Sequence, residues 1–139
     1  MKCLVKNNYK EVVLTGIHTG HYGKDRYDYD FSDLLSELCK IDGLERIRIS
    51  SIEITELDDK FINTLRKNEK IVNHIHIPLQ SGCDKTLKEM NRKYDTRYYK
   101  SKIDEIRKIR PGISITTDLI VGFPNETIED FNKTYEFLK

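Results

Sequence analysis

Closely spaced cysteines are missing from this sequence. The three that occur, Cys3, Cys39 and Cys83, stand tens of residues apart. Such spacing excludes a zinc finger and supplies no disulfide framework, so the thiols read as reduced. Cys39 reads as a small buried hydrophobe on a helix, and Cys83 as a structural thiol behind a turn glycine. No apolar run is long enough to span a membrane. The start, MKCLVKNNYK, lacks the apolar stretch of a signal peptide, and a cytoplasmic protein is the expectation. A surplus of either charge is also lacking. The formal net charge is +1, so bulk charge argues for no nucleic-acid partner. Low-complexity tracts and linkers are absent. What is there is a chain of 139 residues, 37% hydrophobic and 34% charged, enough for one domain with one core.

The pattern along the chain is strand, loop, helix, repeated. Val12 to Leu14 form a short apolar strand, followed by the polar loop HTGHYGKDRYDYD. Asp30 or Ser32 caps a helix with Phe31, Leu34, Leu35 and Leu38 on one face, and Gly43 stops it. ERIRISSIE alternates strictly and reads as a strand. Asp58 caps a helix with the stripe Phe61, Ile62 and Leu65. Asn73 to Leu79 is a third strand. Asp84 caps a short helix carrying Leu87 and Met90. From about Thr96 a longer helix sets Tyr99, Ile103, Ile106 and Ile109 in register, until Pro111 and Gly112 end it. ISITTDLIVG is a fourth strand. Thr127 caps a last helix, with Phe131, Tyr135 and Leu138 expected to be buried. Strands alternating with helices imply βαβ units and a parallel sheet. The predicted strands lie near residues 11–15, 46–51, 73–78 and 114–121, in sequential order with helices on one side. The chain opens and closes inside helices, as if cut from something larger.

Period two sorts the strand faces. Ile47, Ile49 and Ile52 oppose Arg46, Arg48 and Ser50. Ile75 and Ile77 oppose His74, His76 and Pro78. Ile113, Ile115, Leu119 and Val121 oppose Ser114, Thr116 and Asp118. A doubly wound sheet buries both faces and shows continuous apolar runs. A closed eight-stranded barrel fills its lumen with branched aliphatics. The pattern here fits a curved, open barrel: helices on the oily face, and Arg48, His74, His76, Thr116 and Asp118 lining a wet cavity on the other. The alternative is a set of polar side chains that satisfy one another. The strand ends, TGIHTG, SSIE, PLQSG and DLIVGFPNET, are rich in Gly, Ser, Thr, Pro or acidic residues. They gather on the rim where parallel α/β folds bind ligands.

LTGIHTGHYG, RIRISSIE, HIHIPLQSG, MNRKY and TDLIVGFPNET, in this order, resemble the radical S-adenosylmethionine methylthiotransferases over essentially the whole chain. LTGIHTGHYG looks most like the subgroup that acts on threonylcarbamoyladenosine beside the anticodon of tRNA. The other subgroups act on isopentenyladenosine in tRNA and on a ribosomal protein. The resemblance implies an α/β fold, a partial (βα)6 open barrel with parallel strands, in the middle of a three-domain enzyme. Such an enzyme uses S-adenosylmethionine and two 4Fe–4S clusters, one in the barrel and one in an N-terminal domain. It cleaves S-adenosylmethionine to a radical, abstracts hydrogen from C2 of the adenine, and inserts and methylates sulfur. A C-terminal domain helps hold tRNA, and a reductant protein is implied as a partner.

One departure from the family pattern is decisive. The C-x-x-x-C-x-x-C motif that would hold three irons is absent. The expectation is therefore that residues 1–139 are part of a radical S-adenosylmethionine core, barrel strands two to five. The cluster loop, the N-terminal cluster domain and the C-terminal tRNA-binding domain would lie outside them. On that reading the piece alone is inactive, and no residue in it is catalytic or a metal ligand. Carried over residue by residue, Thr15 and Gly16 would meet the amino group of S-adenosylmethionine through backbone. His18, in the subgroup-specific loop, would face substrate. Arg48 would point into the cavity. Ser50, Ser51 and Glu53 match the next strand end, Glu53 holding ribose hydroxyls or standing as an exposed helix-leading carboxylate. His76 and Gln80 would approach the ribose and methionine. Arg92 would pair with the methionine carboxylate or make a surface salt bridge. Asp118, Ile120, Gly122, Phe123 and Pro124 belong to a D-x-I-x-G-x-P strand similar to those that hold adenine. A non-catalytic truncated module is the rival reading. An aldolase-like barrel is disfavoured because no lysine sits inside a strand.

Overall fold

A computed structural model of the chain describes residues 1–23, 25 and 28–139. The elements run α1 (Lys2–Lys6), β1 (Glu11–Leu14), a 3-10 turn (Thr19–His21), α2 (Phe31–Cys39) and β2 (Arg46–Ile49). A second 3-10 turn (Ile54–Glu56), α3 (Asp59–Lys67), β3 (His74–His76), α4 (Asp84–Glu89), α5 (Thr96–Ile109), β4 (Ser114–Thr116) and α6 (Ile128–Leu138) follow. Lys24, Arg26 and Tyr27, part of the expected polar loop, lie outside the described residues.

The strands pair in parallel and in sequence order. β1 pairs with β2, Glu11 opposite Arg46, and β3 pairs with β4, His74 opposite Ser114. A bridge between Ile47 and Ile71 joins the pairs, and the Ile52 N–H donates to the His76 carbonyl at 3.1 Å. β2 thus leaves β1 for β3 after Ser50, whose N–H still reaches Leu14 at 3.0 Å.

The strands are shorter than the alternation predicts. In β3 the reason is Pro78, which has no N–H to give to a ladder. The next donor, Leu79 N–H, goes to the Thr117 hydroxyl at 2.7 Å. Pairing returns only as a bridge between Gln80 and Leu119. Beyond it Gly122 turns the chain at φ +77°, so Val121 is exposed and not on an apolar face.

The core is one cluster in which the strand isoleucines meet the helix stripes. Val12, Ile47, Ile49, Ile75 and Ile77 are buried with Phe31, Leu35, Leu38, Phe61, Leu65, Ile103 and Ile106. The isoleucine face therefore sides with the helices, as the alternation predicts. Arg46, Ser114 and Thr116 are exposed on the other face, with Arg48, His74 and His76 partly so.

Helix starts follow local chemistry. Asp30 accepts from Ser32 and Asp33 N–H, with Asp33 returning the favour to Asp30 N–H. Asp58 caps α3 through Phe61 N–H, and Thr127 caps α6 through Asp130 N–H. Asp84 does not cap α4. Cys83 holds that position, and the Asp84 carboxylate accepts from Thr96 N–H at the start of α5. The expected buried stripe of α6 is also corrected. Phe131, Tyr135 and Leu138 are exposed, and the helix docks instead through Asp130 and Thr134, with Phe137 packed against the core. Polar docking wins because the Ser81–Gly82 loop offers hydrogen bonds to it: Gly82 N–H donates to Thr134 Oγ1 at 3.0 Å.

Candidate functional site

The rim at the carboxyl ends of the strands is built from loops held by backbone-directed side chains. Thr15 and Gly16, just past β1, line a cleft of about 960 Å³ with His18, Thr19, Tyr22 and Phe31. The Thr19 hydroxyl donates to the Ser51 carbonyl, tying this loop to the end of β2. A neighbouring cleft of about 210 Å³ is lined by His18, His21, Glu53, Glu56, Arg92 and Tyr94. Ser50 and Ser51 stand half-buried before Glu53.

Arg92 and Glu53 meet here. Arg92 Nη1 donates to Glu53 Oε1 at 3.2 Å, with both side chains about a quarter exposed (26% and 29%). Arg92 Nε is buried and has no partner. A buried donor left unmade costs free energy, which the bond from Nη1 to Glu53 offsets on one side only. Tyr94, two residues on, is buried and donates its hydroxyl to the Leu79 carbonyl at 3.0 Å. Burial pushes its phenol up to about 12.

A second group spans β3 and β4. His76 Nδ1 lies 2.9 Å from Thr116 Oγ1, and His76 Nε2 lies 3.3 Å from Asp118 Oδ2. His74 Nε2 lies 3.1 Å from the same threonine oxygen. Gln80 sits at φ +68° and donates its N–H to the Asp118 carbonyl at 2.9 Å. Gly122 and Phe123 N–H groups both point to Glu126 Oε2, at 2.6 and 3.3 Å.

Arg48 stands apart from these groups. Its Nε donates to Glu11 Oε1 at 3.1 Å, while Arg46 takes the other oxygen at 2.6 Å. Arg46 first, and Arg48 second, hold the Glu11 carboxyl below the usual range. The expected site residues are thus distributed over a Glu53–Arg92 cleft with His18, a His76–Thr116–Asp118 chain, and a separate Glu11–Arg48 pair on the strand face. His21, Glu56 and Glu126 were missed by the strand-face reading because they lie on turns, outside its period.

The chemistry of one cleft on this rim, a guanidinium beside a carboxylate, fits part of a small zwitterionic cofactor. The same test fails for an iron–sulfur cluster. Cys3 is exposed, Cys39 is half-buried and Cys83 is buried, its Sγ 3.5 Å from Asp130 Oδ1. Among the described residues no cysteine joins a group of three candidate metal ligands.

The profile of the Radical SAM superfamily matches residues 1–138. The chain is 52% identical over 137 residues to the threonylcarbamoyladenosine tRNA methylthiotransferase MtaB of Bacillus subtilis, covering 98% of this chain and 30% of that protein. It is 45% identical over 140 residues to the tRNA-2-methylthio-N(6)-dimethylallyladenosine synthase of Desulfitobacterium hafniense, covering 100% and 31%. It is 46% identical over 139 residues to the MtaB of Aquifex aeolicus, covering 100% and 34%. The chain therefore spans about a third of the length of these relatives, which are tRNA methylthiotransferases of two substrate types. By the match over nearly its whole length, the chain belongs to the radical SAM superfamily, whose members work with S-adenosylmethionine and a 4Fe–4S cluster.

Proposed function

We propose that this chain is the central part of a tRNA methylthiotransferase that attaches a methylthio group to N6-threonylcarbamoyladenosine beside the anticodon. The observation that carries the reading is the 52% identity to a protein named for that substrate, against 45% for one named for dimethylallyladenosine. The loop LTGIHTGHYG supports it, because its residues resemble those of that subgroup. The dimethylallyl-type substrate is the second reading, because the Desulfitobacterium hafniense relative at 45% identity stands beside the Aquifex aeolicus MtaB at 46%.

In this reading the chain contributes core strands two to five, and the cluster cysteines and a tRNA-holding domain belong to the rest of a longer polypeptide. The protein works in the cytoplasm with tRNA and a reductant protein. No helix among the described residues is long and apolar enough to cross a membrane.

S-adenosylmethionine, when bound, supplies the methyl group and the source of the radical. This chain's part is to bind and orient it. Arg92 pairs with the methionine carboxylate, its fork matching a planar anion. Glu53 orients Arg92 and reaches the ribose, with Ser50 and Ser51 beside it. Thr15 and Gly16 present backbone to the amino group. His76, Gln80 and Asp118 line the ribose side, and Gly122 with Phe123 lets backbone approach the adenine. Arg48 serves the strand face through Glu11, and His18 faces substrate.

The test is nucleoside mass spectrometry of tRNA from cells with and without the gene. Loss of 2-methylthio-N6-threonylcarbamoyladenosine, with accumulation of its unmodified parent, is the expected result. Loss of the dimethylallyl-type methylthio nucleoside instead would establish the second reading.

A further inference from the structure

The 3-10 turn Thr19–His21 carries a cluster that S-adenosylmethionine binding does not use. We propose that His18, His21 and Glu56 form a site for a divalent transition-metal ion of the zinc class. His18 caps the 3-10 turn, its carbonyl accepting from His21 N–H at 3.1 Å, and the two rings stack with centroids 5.0 Å apart. Gly20 lies between them, and any Cβ there would run into the Glu56 side chain, whose own Cβ would be only 2.8 Å away. The glycine lets the carboxylate come up beneath the two rings.

Glu56 is the second and independent observation. Its side chain is only 6% exposed. One oxygen, Oε2, accepts from Glu53 N–H at 3.4 Å. The other, Oε1, is buried with no hydrogen-bond partner and faces His21 Nε2 at 3.3 Å. A buried carboxylate oxygen without a partner is costly, and a cation between it and the imidazoles removes that cost.

The donor atoms of the three residues lie within 4.8 Å of one another. Ligands on a tetrahedral zinc at its usual bond lengths sit about 3.4 Å apart. The two histidines are exposed, so rotation of their side chains closes the difference without moving the core. Two imidazoles and one carboxylate leave a coordination position open to water. Hydrogen bonding of Thr19 to the Ser51 carbonyl holds the turn in place. On this proposal His18 is a metal ligand and not a free substrate contact. The site stands whether or not the S-adenosylmethionine reading does.

The probe is cobalt(II) added to the chelator-stripped 139-residue chain carrying Cys3→Ser, so that the exposed thiol does not compete. A single equivalent should give visible d–d bands without the near-ultraviolet thiolate charge-transfer band. His18→Gln, His21→Gln and Glu56→Gln should each weaken binding by at least about tenfold, and Glu45→Gln should change nothing. The histidine variants alter exposed side chains, so they decide the matter even if Glu56→Gln fails to fold. Absence of d–d bands in a chain that circular dichroism shows to be helical overturns the proposal. Binding that survives in the double variant His18→Gln/His21→Gln overturns it too.

Discussion

Arg92 Nη1 stands 3.2 Å from Glu53 Oε1, linking the segment after α4 to the end of β2 across 39 positions of sequence. The pair leaves Arg92 Nε buried and unpaired, while about a quarter of the side chain stays exposed.

Arg92→Lys keeps the charge and loses the planar fork. If Arg92 takes the methionine carboxylate, the variant should bind S-adenosylmethionine roughly tenfold or more weakly, the loss of one charged hydrogen bond. Isothermal titration reads this directly. An unchanged affinity would return Arg92 to a salt-bridge role alone.

Tyr94 gives a pH signature. Its phenol ionises near pH 10 in the unfolded chain but is pushed up to about 12 by burial in the folded one. The unfolded state therefore releases its proton first. Stability from this group is complete below pH 10 and is lost as pH rises toward about 12. In urea denaturation at a series of pH values, Tyr94→Phe should show a shallower alkaline decline than the native chain. Equal slopes would mean that the phenol is not the titrating group.

Asp130 works at the acid end. Lys85 first, then Thr127, hold its carboxyl well below the usual carboxylate range. Stability from it is present above the ordinary value of 3.8 and falls as pH drops through its lowered one. Asp130→Asn should destabilise the chain at neutral pH and flatten part of its acid-unfolding slope. Glu11 and Asp33, also lowered by their cationic partners, keep the remainder of that slope. Thermal melts at stepped pH measure both effects.

Gly82 is where α6 touches the loop after β3. A Cβ on it would sit 2.8 Å from Thr134 Cα and 2.9 Å from Phe137 Cβ. Backbone on one side cannot give way, so Gly82→Ala should cost about 1–3 kcal/mol by overpacking. Urea unfolding measures it. A neutral result would show that α6 moves freely on its loop.

What the sequence made legible was local. The caps at Asp30, Asp58 and Thr127 and the alternation in the RIRI part of ERIRISSIE depend on neighbours within one turn or one pleat, and the structure shows each of them. The side taken by Ile47, Ile49, Ile75 and Ile77 followed from the same period. What failed was tertiary. The face α6 buries was decided by hydrogen bonds to Ser81 and Gly82, which no helical period reports. Strand β3 ended before Pro78, and its pairing did not resume at Leu79 because Thr117 takes that N–H. In the site, Arg92 and Glu53 were each singled out but not as a pair. The approach of Glu56 to His21 has no signal in either segment alone, beyond the H-x-x-H spacing and the glycine inside it.

The seam between the two strand pairs has a consequence for how the molecule comes together. β1 meets β2 across 35 positions and β3 meets β4 across 40. Each pair closes a loop of similar length, and closure entropy grows only slowly with length, so neither half has a large head start. Between the halves the ladder thins to the Ile47–Ile71 bridge and the bond from Ile52 to His76. Side chains span what the ladder does not: Val12, Ile47, Ile75 and Ile113 belong to one continuous apolar cluster. Cooperativity between the two halves is therefore carried more by shared oil than by shared ladder bonds, and a defect in that cluster uncouples them before it unravels either one.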